Sequence, residues 1–273
     1  MEFSSDVFGF DQYRASMSET ERNITDALPE AVTHLKKCDH LILSTLEGLG
    51  CTESRAAAAH AHSLYLAACN LALGAHLSAI FPLLRTAMES AVYGYLFNRE
   101  PGLSQSWLSR HDDEEGFQQN KRSFTPAVKR FRKYLKEHDE QSKGTPYEKH
   151  IMGFFDAAID FGAHPNPIAL SNATTVERHD NFERFKYDYL RVDYPSVIQG
   201  LVATYEFAQA IAMINHFSRM CITPGIKGLD EMFLGFVEET NGICDKLNGS
   251  PIGVDSRYYT QINNLVKRSW NKK

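Results

Sequence analysis

A chain of 273 residues, 43% hydrophobic and 23% charged, carries enough apolar material for one large core or two small ones. Its 10 prolines and 17 glycines are too few for long disorder or a fibrous repeat, and a net charge of −5 excludes an overall basic footprint for nucleic acid. Five scattered cysteines, Cys38, Cys51, Cys69, Cys221 and Cys244, form no CxxC pair and read as reduced thiols of a soluble, cytoplasmic protein, not as a disulfide framework or zinc site.

In chain order, residues 1–16 show no clear period and are expected to form a loosely attached arm without the basic and apolar regions of a secretory signal. Ser18 with Glu21 makes a capping box that opens a helix toward Ala27. Pro29 suits the first turn of a second helix, ended by Gly48 and Gly50. An Ala-rich helix follows from Thr52 or Glu53 to Gly74. The next, over 77–97, places Ile80, Leu84, Met88, Ala91 and Tyr95 at three- and four-residue steps and should pack antiparallel on it. Arg85 and Glu89 inside that apolar stretch would each cost roughly 2.5 kcal/mol or more in a bilayer, so a buried helix is expected there and no membrane span.

Residues 101–120, with the acidic run Asp112, Asp113, Glu114 and Glu115, read as a surface connection. An amphipathic helix over 125–138 presents Val128, Phe131 and Leu135 on one face, and another runs over 146–162 until Pro165 and Pro167 forbid continuation. Over 174–190 the period changes: Phe185, Tyr187 and Tyr189 alternate with Lys186 and Asp188, and His179, Asp180 and Asn181 supply turn residues, which predicts a β-hairpin. Helical period returns at Pro195 with the stripe Ile198, Leu201, Tyr205, Ala208 and Ala212. After Gly225 and Gly228 a helix over 230–247 and a shorter one near the end are expected. The fold class is therefore mainly α, a helical bundle with a small β-hairpin insertion and a C-terminal helical extension. Its expected division is 1–50 (arm and first helices), 51–220 (central bundle with the hairpin) and 221–273 (extension).

Two groups of residues are candidates for chemistry. Arg85 and Glu89 share a helix face, and Asp156 and Asp160 repeat that spacing near a helix C-terminus, where like charge and the helix dipole both call for a cation. Arg85 is the natural cation, with His164 one turn beyond Asp160. The set is either a buried ion-pair network or a polar pocket. The second group is the basic segment 121–136, in which Lys129, Arg132, Lys133 and Lys136 project together with His138 just beyond. Basic charge with interleaved aromatics binds phosphates and stacks bases, while an ordinary solvated helix face has the same composition. His60, His62 and His76 read as packing or surface histidines, and no metal or cofactor is implied.

The phrase FPLLRTAMESAVYGYLF with the downstream DFGAHPNP resembles uncharacterised bacterial proteins with HEPN-like helical bundles, over residues 55–215. In those an Arg and a Glu one turn apart recur with a later His, here Arg85, Glu89 and His164. The resemblance implies an all-α bundle, a tendency to homodimerise and a link to RNA cleavage or cellular defence. Ribonucleases of that family carry a closely spaced Arg and His, and Arg55 with His60 and Arg132 with His138 have such spacing. The expected function is a non-catalytic interaction or ligand-binding module in a stress or defence setting, with RNA or a protein as partner. The alternative is a metal-independent ribonuclease.

Overall fold

The computed structural model describes residues 9–124, 126–142, 146–163, 169–170, 173–179, 182–222 and 229–249. Its helices are α1 (Phe10–Ala27), α2 (Pro29–Leu46), α3 (Thr52–Leu73), α4 (Leu77–Arg99), α5 (Gly102–Leu108), α6 (Glu114–Phe124), α7 (Ala127–Ser142), α8 (Tyr147–Ala158), α9 (Tyr194–Met220) and α10 (Leu229–Asn248). Strands β1 (Thr174–His179) and β2 (Phe182–Tyr187) make the hairpin.

The bundle is arranged round α9. Asp193 caps it, accepting a hydrogen bond from Ser196 N at 3.0 Å, and Pro195 fills its first turn. Every residue from Gly200 to Ala212 is buried, so the expected stripe is only part of a helix covered on all sides. By length and composition α9 is also apolar enough to cross a membrane, with 89% of its most apolar window buried inside the protein.

Named contacts set the helix directions. Tyr205 Oη donates to Ala31 O at 3.0 Å and Asn215 Nδ2 to Thr45 Oγ1 at 3.2 Å, so α2 runs parallel to α9. Gly200 lies against Leu77 and Ile80, and Ser218 Oγ donates to Gly94 O at 3.3 Å, so α4 does the same. Helix α3 opposes them: a Cβ at Gly94, late in α4, would sit 3.1 Å from Ser54 O, early in α3. Small residues at this seam let the two backbones approach, and the antiparallel pairing expected of α3 and α4 is found. Helix α10 returns along α2, where Lys37 pairs with Glu239 and Lys246 with Glu30.

Because α4 and α9 point the same way, the chain between them must travel back along the bundle. Residues expected to be a surface connection are helical there, as α5, a 3-10 turn at Ser109–His111, and α6. Asp113 Oδ1 accepts from Gly116 N at 2.7 Å, and a Cβ on Gly116 would lie 2.3 Å from Ser109 O, so a glycine is required for this tight return. Phe131 of α7 meets Tyr95 of α4 at 4.9 Å, and Phe154 of α8 meets Phe207 of α9 at 5.3 Å. Helix α8 ends at Ala158 and passes into a π turn, Ile159–Ala163, in which Gly162 has φ 143° and its backbone approaches Ser78 O.

The hairpin forms as the alternation predicts, antiparallel with Thr174 opposite Tyr187 and Val176 opposite Phe185. Its turn residues Asp180 and Asn181, like Gly225, Gly228 and the short helix expected near the end, lie outside the described residues. The first helix departs from expectation, starting at Phe10 and not at Ser18. Tyr13 Oη bonds to His76 and Met17 packs on Gly74, so tertiary contacts hold helix upstream of the local capping signal. The apolar core is continuous from Ile24 to Leu247, and the five cysteines form no disulfide.

His34 joins α2, α9 and α10 and makes stability depend on pH. Its ring stacks on Phe236 at 5.2 Å, and Nε2 lies 3.0 Å from Thr240 Oγ1. The Thr240 hydroxyl already donates to Phe236 O, so Nε2 is the donor and buried Nδ1 is left without a partner. Burial lowers the pKa of this imidazole, with Lys37 adding to the effect and Glu239 opposing it. The folded state therefore favours neutral His34, a contribution present above the ordinary value of about 6.5 and lost as pH falls toward the depressed folded value. Urea melts should show stability falling as pH drops below about 6.5, and His34→Gln should flatten that slope.

Candidate functional site

Arg85 Nε donates to Glu89 Oε1 at 2.9 Å, one turn along α4, as the spacing predicts. The pair is not deeply buried: the side chains are 22% and 36% exposed. Leu84, Ala87, Met88 and Ala91 occupy the core-facing arc of α4, which leaves Arg85 and Glu89 at its rim. Tyr93 extends their row. Burial pushes its phenol pKa up, Glu89 adds to this, and Arg110 opposes it.

Asp160 sits half-buried in the π turn after α8, while Asp156 is exposed. Burial pushes the Asp160 carboxyl up, and the charge of Asp156 raises it further. His164 lies outside the described residues.

The basic segment is divided between the end of α6, which holds Lys121 and Arg122, and α7. Lys129, Arg132, Lys133 and Lys136 are all exposed, while Phe131 and Leu135 are buried beneath them. Arg132 pairs with Glu148, and Lys133 lies 3.7 Å from Glu137. His138 belongs to the inner side of the helix: its half-buried ring lies 5.1 Å from Phe217 and 5.8 Å from Tyr147. At about 100° per residue, it points roughly 180° away from Lys129 and about 120° away from Arg132. Arg55 and His60 are both exposed on α3 and diverge by about 140° on the same count. His62 bonds Asp39 of α2 at 2.6 Å, and His76 bonds Tyr13, so both serve packing, as expected.

The hairpin carries a feature the sequence reading passed over. Val176, Phe185 and Tyr187 fall on one face by the strand period and are 44%, 52% and 41% exposed. The alternating aromatics signal a strand, but they do not say whether its apolar face meets the bundle or water. Its base is tied down by Asp188 N donating to Ala173 O and Arg191 N to Ala75 O, both at 2.8 Å. Beneath it Leu77, Ser78, Phe81, Phe161, Tyr189 and Arg191 line a cavity of about 20 Å³, room for one water. Among the described residues no three His, Cys, Asp or Glu side chains converge as metal ligands would.

The geometry at Arg85 sets the size of its contribution. The Arg85–Glu89 pair by itself, one turn apart and part-exposed, contributes about 1 kcal/mol, so an Arg85→Ala variant that loses this pair alone should show a Tm lower by about 2–4 °C. A calorimetric loss well beyond that would mean Arg85 neutralises a group deeper in the bundle. The chain matches no known family model, no curated protein sequence and no solved structure.

Proposed function

We propose that this chain is a non-catalytic protein-interaction module whose β-hairpin is the docking element. One observation carries the reading: a cross-strand apolar patch, Val176, Phe185 and Tyr187, is left open to water on a hairpin that projects from the bundle. Two strands alone are marginally stable in water. Apolar side chains placed there gain by burial against a partner, at about 25 cal/mol per Å² covered. The anchored base presents the patch with little ordering left to be done on binding. Cross-strand pairs Arg178–Glu183 and Arg184–Glu177, at 3.1 and 3.9 Å, put charges on both strands and discourage indiscriminate edge pairing.

The alternative, a HEPN-like metal-independent ribonuclease, draws on the exposed cations of α7, which suit phosphate contacts. It needs an Arg and a His at one scissile phosphate. Arg132 with His138 and Arg55 with His60 each diverge on their helices, so the interaction reading is preferred.

Two measurements on the full chain test this. A photocrosslinker at position 185 should capture a specific protein from the source cells. Phe185→Ser with Val176→Ser should abolish binding of that purified partner while leaving Tm within a degree or two of the parent, since these side chains are exposed. Single-stranded RNA should bind at best in the micromolar range, weaken steeply with salt, and remain uncut. Undiminished partner binding by the double variant, or robust cleavage lost in His138→Ala, would overturn the reading.

A further inference from the structure

Helix α6 has a charge order that mirrors itself with opposite sign. Glu114 and Glu115 stand four and three residues before Gln118, and Arg122 and Lys121 stand four and three after it. At about 100° per residue these five positions cover one arc of the helix. Gly116 and Asn120, on the opposite arc, are buried against α5 and the 3-10 turn, where Asn120 Nδ2 donates to Ser106 O and Asn120 Oδ1 accepts from Arg110. The four charged side chains are exposed, and Gln118 bridges back to Glu114 at 2.7 Å. Beside this arc Phe117, under the Arg110 guanidinium, is open to water.

We propose that α6 is the two-fold contact of a homodimer, lying antiparallel on α6 of a second copy with Gln118 near the axis. In that arrangement Glu114 and Glu115 of each protomer face Arg122 and Lys121 of its partner, whereas a parallel arrangement sets like charges together. The contact is isologous, so it closes at two copies. Acids at the N-terminus and bases at the C-terminus also suit the dipole of α6 itself. That accounts for the ends of the helix, not for Phe117 left open beside the charged arc. A helix of 11 residues spans about 16 Å, short of a standard stable interface, so the dimer is a micromolar, salt-sensitive one.

Sedimentation velocity over a micromolar concentration series tests this. The parent chain should show a monomer–dimer equilibrium at low salt that shifts to monomer at high salt. Glu114→Lys with Glu115→Lys should be monomeric, and so should Lys121→Glu with Arg122→Glu. All four substitutions together restore the antiparallel complement and should dimerise again, yet should not mix with the parent chain. A parent that stays monomeric at low salt, or either double variant that dimerises like the parent, overturns the proposal. So does a fourfold variant that keeps its helical circular dichroism yet stays monomeric.

Discussion

The rest of the structure depends on the burial of α9 over its whole circumference. A helix with no solvent face has to be enclosed, and α2, α3, α4, α8 and α10 all pack against it. Gly200, Ala203, Ala208, Ala210 and Ala212 keep it slim enough for that company. Several of its polar residues are satisfied within the enclosure, while Gln209 Nε2 is buried with no hydrogen-bond partner among the described residues. The Thr204 hydroxyl donates to Leu201 O, Asn215 reaches α2, and Ser218 reaches α4. Leaving such groups unpaired at the centre would cost about 1–3 kcal/mol each.

Enclosure also decides where the long connection between α4 and α9 runs. With α4 and α9 parallel, more than ninety residues of crossover, 100–193, have to be accommodated outside the central helices. That crossover holds the basic face of α7, the charged face of α6 and the hairpin. The central helices meet through interlocking aromatics and small residues, Phe81 and Phe207 among them, with Phe154 of α8 packed onto Phe207.

Elements bounded by strong local signals were legible in the sequence. Pro29, the glycines at 48 and 74, and Thr52 mark helix ends within a residue or two of where they fall, and the alternation at 185–189 marks the second strand. Two elements were not legible. The first half of α1 has no cap of its own and is held by Tyr13 on His76 and Met17 on Gly74, partners some sixty residues away. Residues 101–120 read as a connection because their acidic run masks a period that only Gly116, fitted against Ser109, makes sense of.

For the candidate site the division is similar. Spacing alone determined that Arg85 would meet Glu89, because residues four apart on a helix are neighbours whatever surrounds them. It equally determined that the cations of α7 would share a face. How deep Arg85 lies, what His138 packs against, and whether Val176, Phe185 and Tyr187 face helix or water were decided only by tertiary packing. Local periodicity fixes which residues stand side by side on an element. What covers that side depends on segments far away in sequence, and here on the enclosure of α9 and the crossover it imposes.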